Sequence, residues 1–291
     1  MYLDLDQARG SDFRLMTVRP TAATWSVLVP FFNEADFLGA TIASLAAQSV
    51  AFRLILVDNG STDGSATIAR DAAERHGLDY LLITERTPGK VAALRAGLGW
   101  VRSTYVATCD ADTLYPPHYL AAAEALLVDP GCVVAGAYFV APGADEATRA
   151  AKARSFLAGA RILSRQCHAG GAGQAFRTAA LRAAGGFDGD RWSYVLEDHE
   201  VINRTMRHGA MRYAADLWCT PSPRPRNRAS IRWTGFERLM YAASAPFAGD
   251  WFFYTFLARR LAKRRLSSDR IRERPFQGAE GTAFATTYPV R

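Results

Sequence analysis

The chain has 291 residues, enough for one large domain or two small ones, and its 49% hydrophobic and 22% charged content is that of a chain that buries a core. This excludes a disordered or collagen-like chain, and no apolar stretch reaches the ~18 residues that a membrane span requires. The net charge is +7 and uneven: thirteen Arg/Lys against four Asp/Glu fall between Arg224 and Arg274, a segment suited to nucleic acid, an anionic membrane surface or phosphates.

Met1 to Gln7 carries acids early and no apolar h-region, so a signal peptide is not expected. Residues 1–20 read as a loose leader. Trp25 to Pro30 then reads as a buried strand, and Glu34 to Gln48 as a helix with Phe37, Leu38, Ile42 and Leu45 on one face. Phe52 to Val57 is a second strand. It runs into Asp58-Asn-Gly-Ser-Thr-Asp63, a polar turn that caps a helix over Gly64 to Arg75. Tyr80–Ile83 (strand), Lys90–Val101 (helix), Tyr105–Cys109 (strand), Pro117–Leu127 (helix) and Cys132–Val140 (strand) continue the alternation. Strand and helix at this spacing imply right-handed βαβ units and a mostly parallel α/β sheet. Beyond it, Asp145–Arg165 and Glu197–His208 read as helices, Gly170–Gly173 as a flexible turn before Gln174–Phe176, and Met211–Ala214 as a short strand. Pro221, Pro223 and Pro225 break the chain before two aromatic-rich helices. No clean linker separates the halves, which favours one domain with a C-terminal extension. Cys109, Cys132, Cys167 and Cys219 form no Cys-x-x-Cys pair, which predicts free thiols in a reducing compartment and no zinc site.

Ligands of such sheets bind beyond the C-terminal strand ends. Pro30–Glu34, Asp58-Asn59, Thr84–Lys90 and Asp110-Ala-Asp112 share that edge. Residues 110 and 112 would face one way if the strand continued, and two like charges so placed call for a divalent cation. Mg²⁺ or Mn²⁺ with substrate phosphates is the chemistry this suggests; the bland alternative is a solvated acidic turn.

Val29-Pro-Phe-Phe-Asn-Glu34, Val57-Asp-Asn-Gly-Ser-Thr-Asp63, Gly89-Lys-Val-Ala-Ala-Leu94, Asp110-Ala-Asp112, Gly185-Gly-Phe187 and Leu196-Glu-Asp-His-Glu200, in this order, resemble a family 2 glycosyltransferase with the GT-A fold. The resemblance covers roughly residues 25–220. It implies a nucleotide-sugar half at about 21–115, an acceptor half at about 116–222 and a basic, aromatic extension over 223–291. It also implies inverting transfer of a sugar from a nucleotide-sugar to an acceptor hydroxyl. In that reading Asp112 holds Mn²⁺ or Mg²⁺, and Asp110 aids it or holds the ribose. Pro30, Phe32, Glu34, Asn59, Lys90, Asp110 and Ala111 line the nucleotide-sugar. Phe32 either stacks on a pyrimidine or packs in the core; Lys90 either approaches base or phosphate or is a solvated lysine opening a helix. Many relatives carry Asp where this chain has Asn59. An amide oxygen still accepts from a ring N–H, so UDP is expected first, with dTDP or GDP less firmly excluded.

The resemblance places the base at Asp198, where Glu197 and Glu200 are expected to raise its pKa or position it. Without the other motifs, this acidic run reads as a first helical turn complementing the helix dipole. Gly171, Gly173 and Gln174 would underlie donor sugar and acceptor, with the glycines letting backbone approach a ligand, while His168 is expected to be structural. Arg232-Trp233 resembles a Gln-x-x-Arg-Trp diphosphate element, with Ala229 replacing the glutamine.

Two other readings stand beside this one. A nucleotidyltransferase shares the fold class but would carry a Gly-rich, basic loop after the first strand, where Pro30-Phe-Phe-Asn-Glu34 stands. A non-catalytic nucleotide-sugar or lipid-binding module is the other. Aromatics from Trp233 to Leu257, followed by Arg259-Arg260 and Lys263-Arg-Arg265, either pack on the catalytic domain or form a surface-lying membrane anchor. The second option would make the acceptor lipid-linked and place the protein at the inner face of the cytoplasmic membrane; otherwise it is expected in the cytoplasm. No nucleic-acid motif is present, so no nucleic-acid partner is expected.

Overall fold

The computed structural model describes the backbone of residues 2–4 and all of residues 23–223 and 233–268. Strands β1 (Tyr2–Asp4), β2 (Trp25–Phe31), β3 (Phe52–Asp58), β4 (Tyr80–Thr84), β5 (Tyr105–Cys109), β7 (Cys132–Gly136), β9 (Gly173–Arg177) and β10 (Ala210–Arg212) form one sheet, in the order β1-β4-β3-β2-β5-β9-β7-β10. All neighbours are parallel except β9, which runs antiparallel between β5 and β7. Strands β6 (Thr113–Leu114), β8 (Tyr138–Phe139) and β11 (Trp218–Pro221) make a small second sheet.

The central strand, Trp-Ser-Val-Leu-Val-Pro-Phe, is buried throughout, as a parallel strand covered on both faces must be. Its alternation splits the core. Val27 and Val29 face helices α1 (Ala35–Ala46), α2 (Ser65–Arg75) and α4 (Tyr119–Leu127). Leu28 faces α3 (Lys90–Leu98), α6 (Thr178–Ala183) and α7 (Glu197–Thr205). Gly97 lets α3 lie against the sheet: a β-carbon there would stand 2.1 Å from Leu28 Cδ1. All four cysteines are buried and free.

Three expectations need correction. The start of the supposed leader, residues 2–4, pairs with β4, whose edge would otherwise present open backbone groups; residues 5–20 lie outside the described residues. The run Cys132–Val140 is two strands, because Ala137 turns the chain into the second sheet and donates its N–H to Gly173 O at 2.7 Å. The expected turn ends at Gly170–Ala172, since Gly173 already belongs to β9.

The C-terminal helices close the structure. Helix α8 (Gly235–Asp250) starts with a reciprocal capping box between Thr234 and Glu237 and kinks at Ala248, two residues after Pro246. A π-helix (Trp251–Leu257) and α9 (Ala258–Lys263) follow. Phe252, Phe253, Leu257 and Leu261 bury with Trp192 and Tyr241. Much of the aromatic segment therefore packs on the rest of the chain. Two of its cations are committed too: Arg260 and Arg264 reach the fully buried carboxylate of Glu237 at 2.8 and 3.1 Å. Burial pushes the Glu237 pKa up, but the Thr234 N–H and the two guanidiniums outweigh it and hold it below the ordinary value. Stability from this group is thus present above the unfolded carboxylate value and lost as pH falls through the lower folded one. Glu237→Ala should remove the carboxylate that both cations share, loosen the C-terminal helices and speed tryptic cleavage at Arg259–Lys263. Acidification below the ordinary glutamate range should do the same to the unmodified chain, read by acid-stable pepsin or by hydrogen exchange.

Candidate active site

The C-terminal ends of β2 and β5, the N-terminal end of the antiparallel β9 and the starts of α3 and α7 enclose a narrow cleft lined by Pro30, Lys90, Thr108, Asp110, Gly171, Gln174, Phe187, Glu197 and Asp198. Four of these are charged. Lys90 Nζ stands 2.6 Å from Asp110 Oδ1 and 3.4 Å from Glu197 Oε1. Burial disfavours the Lys90 cation, but Asp110 and Glu197 overcome this and raise its pKa, so it stays charged. Glu197 is pushed the other way: burial and the neighbouring Asp198 raise it, and Lys90 offsets only part.

Asp198 sits in the first turn of α7. Its Oδ1 accepts from its neighbour's backbone N–H at 2.9 Å and lies 3.0 Å from His199 Nδ1. Burial alone would raise its pKa, yet His199 and Lys90 together lower it. This corrects the expectation that Glu197 and Glu200 raise it. The residue before the helix, Leu196, has φ 65°, ψ 28°, a left-handed conformation that costs a non-glycine residue of order 1–3 kcal/mol. The helix start is therefore held in place by its packing, with Leu196 against the C-terminal aromatic cluster.

Asp110 is aimed by Tyr115, whose hydroxyl accepts the Asp110 N–H at 2.9 Å and donates to Ala172 O at 2.6 Å. One phenol thus ties the carboxylate loop to the Gly170–Ala172 turn. Ala111 is buried, and its carbonyl accepts from Thr41 Oγ1. Asp112 is buried as well and does not line the cleft: its Oδ2 accepts from Ser222 Oγ at 3.2 Å, and its carbonyl from the Ser222 N–H at 2.8 Å. The strand ends at Cys109, so the pair sits in a turn, without the shared direction that a continuing strand would give. The donors are hard carboxylate oxygens, suited to Mg²⁺ or Mn²⁺. Among the described residues no three His, Cys, Asp or Glu side chains form a group that could hold a metal ion.

Other expected residues divide clearly. Gly171 is at the cleft: a β-carbon there would lie 3.3 Å from Asp198 Oδ2 and 3.4 Å from Lys90 Nζ. Gln174 is buried in the cleft wall. Gly173 is explained by packing, since a β-carbon would stand 2.7 Å from Ala137 Cβ. The Asn59 amide is tied to the protein backbone. It donates to Glu85 O and Thr87 O at 2.8 Å and accepts from the Gly89 N–H at 2.9 Å, so it braces the loop that carries Lys90. Phe32 is half-buried and outside the cleft lining, as is Glu34, whose N–H donates to Ser65 Oγ.

Glu200 points away from the cleft into a buried cluster with Arg204, at 2.7 and 2.8 Å, and the Tyr254 hydroxyl. Arg204 also donates to Ala184 O and Gly186 O. Arg204→Ala should destabilise the protein by about 3–5 kcal/mol, because it strands a buried carboxylate; urea unfolding measures it. Trp233 lies in the C-terminal aromatic cluster. It stacks on Phe252 at 5.7 Å and packs against His199 at 5.2 Å and Tyr241 at 5.1 Å. Arg232 lies outside the described residues. Sequence reasoning assigned no role to Tyr115, Ser222 or His199, though His199 adjoins Asp198 in the chain.

The family model for glycosyl transferase family 2 matches residues 26–185, more than half of the chain. This chain belongs to that family. Among curated members, it is 37% identical over 97 residues to undecaprenyl-phosphate 4-deoxy-4-formamido-L-arabinose transferase of Edwardsiella ictaluri (strain 93-146), covering 32% of this chain and 30% of that one. Dodecaprenyl-phosphate galacturonate synthase of Rhizobium johnstonii gives 37% over 97 residues, 32% of this chain and 29% of that one. The chain thus spans less than a third of the length of the curated relatives it matches. In fold, the chain resembles the mannosyltransferase PcManGT from Pyrobaculum calidifontis, in complex with GDP-Man and Mn²⁺, at TM-score 0.60, 24% identity, 84% of this chain and 75% of that one. It also resembles S. aureus TarS 1-349 in complex with UDP-GlcNAc, at TM-score 0.54, 19% identity, 82% of this chain and 73% of that one.

Proposed function

We propose that this chain is an inverting glycosyltransferase that moves a sugar from a nucleotide-sugar to an acceptor hydroxyl, with Asp198 as the base. The observation that carries the reading is the convergence of Asp198, Glu197, Lys90 and Asp110 in one cleft at the C-terminal edge of the sheet. Held ionised by His199 and Lys90, Asp198 can accept the acceptor's proton. Lys90 is placed to meet the diphosphate as charge develops on it, and Gly171 leaves room beside both groups. Asp112 and Asp110 would hold Mn²⁺ or Mg²⁺ together with diphosphate oxygens; the cation, when bound, would stabilise the leaving group.

UDP is the nucleotide we favour, with dTDP and GDP as alternatives. Asn59 Nδ2 is engaged by Glu85 O and Thr87 O, which leaves its Oδ1 as the atom that would accept from a ring N–H. The polyprenyl-phosphate specificity in the names of the relatives supports a lipid-linked acceptor and work at the cytoplasmic membrane. Among the described residues no helix is long and apolar enough to cross it. The family match supports glycosyl over nucleotidyl transfer.

A thermal-shift screen against UDP, dTDP and GDP, with and without Mn²⁺, tests donor recognition. A nucleotide at 100 times its Kd should add about 2.7 kcal/mol of stability, and only with the cation. No shift from any of the three would count against the reading.

A further inference from the structure

The aromatic segment has a second face. Phe236, Leu239, Ala243 and Phe247 fall at helical spacing along α8, and all four are exposed, whereas Glu237 and Tyr241 on the other side are buried. The three large side chains are 54%, 64% and 91% exposed, and Trp251, one further turn on, is 45% exposed. Phe256 joins the stripe: its ring lies 5.8 Å from Phe236 and 5.7 Å from Trp251. Three and seven residues beyond Phe256 stand Arg259 and Lys263, both exposed and without an ion-pair partner among the described residues. Arg260 is held by Glu237, and the one acid at the end of α8, Asp250, is paired with Arg207.

We infer that this face is a docking surface for an anionic lipid bilayer. Leu239 and Phe247, mostly exposed, and the exposed parts of Phe236 and Trp251 can gain by entering the headgroup boundary, and the two uncommitted cations beside them match anionic headgroups. A purely apolar protein partner would have no use for that charged margin. Since no described helix can span a bilayer, the face lies on it. Its inner side carries Trp233 and Tyr241, which touch His199 next to Asp198, so docking brings the bilayer to the side of the chain that holds the base. The inference is separate from the donor reading, because it is tested with no nucleotide present.

Co-sedimentation with vesicles of phosphatidylglycerol and phosphatidylcholine, against phosphatidylcholine alone, at low and high salt, reads it directly. Unmodified protein should bind the anionic vesicles and release in salt. Leu239→Ser with Phe247→Ser, and separately Arg259→Glu with Lys263→Glu, should each weaken binding by roughly tenfold or more at unchanged Tm, because these side chains are exposed. Equal partition to neutral vesicles, or wild-type binding by either double variant, would overturn the inference. So would a dimer that the serine variant abolishes in a protein that binds no vesicle, an outcome that assigns the face to a second copy.

Discussion

Asp198→Asn should lower kcat by about 10²–10⁴-fold while donor affinity stays close to that of the unmodified protein, because an amide keeps the shape and loses the ability to take a proton. The geometry adds a pH signature. His199 and Lys90 hold the Asp198 pKa below its ordinary value, so lowering pH should not switch the base off until below the ordinary aspartate range. His199→Ala removes one of the groups that lower it, and the acidic limb of kcat/KM should move upward. A near-normal rate in Asp198→Asn would move the base to Glu197, whose raised pKa and position 3.4 Å from Lys90 make it the alternative in the same cleft. Glu200 is no longer an alternative, since Arg204 and Tyr254 occupy its carboxylate.

Asp112→Ala should abolish cation-dependent nucleotide-sugar binding, an effect expected to exceed a hundredfold if a carboxylate ligand of the cation is lost. Calorimetric titration of UDP with and without Mn²⁺ measures it. Because Asp112 is also anchored to Ser222 through its side chain and carbonyl, Tm must be followed in parallel. Ser222→Ala serves as the control: it removes only the Oγ contact and should cost little stability while weakening cation-dependent binding less than Asp112→Ala does. Unchanged Mn²⁺-dependent affinity in Asp112→Ala would show that the carboxylate is structural.

Much of this architecture was legible in the chain because parallel strands buried on both faces leave unbroken apolar runs. Trp25–Phe31 and Tyr105–Cys109 announce themselves, and their C-terminal ends point to the cleft before any coordinate is known. Asp110, Lys90, Glu197 and Asp198, read separately along the chain, do meet there. What was not legible is the direction in which a polar side chain turns. Asn59 and Glu200 carry the right chemistry at the right edge, yet one braces backbone groups and the other pairs with an arginine. For Glu200 a local signal existed, since Arg204 stands four residues on, a helical pairing distance. For Asn59 none did, because its partners Glu85, Thr87 and Gly89 lie about thirty residues away. The Asp198 shift reversed because His199, adjacent in sequence, and Lys90, which approaches only through the fold, together outweigh its burial. Trp233 likewise belongs to a cluster that forms only when α8 and the π-helix close over α7.

In the proposed reaction a nucleotide-sugar loses its sugar in this cleft and Asp198 takes the acceptor's proton. ³¹P NMR of UDP-, dTDP- and GDP-sugars incubated with the protein, Mg²⁺ and a short-chain polyprenol or lipid-linked sugar that offers a free hydroxyl follows that step. One donor should give nucleoside diphosphate at a rate that Asp198→Asn lowers by about 10²-fold or more. Nucleoside diphosphate from none of the three donors, or its release at equal rates by the unmodified protein and Asp198→Asn, would contradict it.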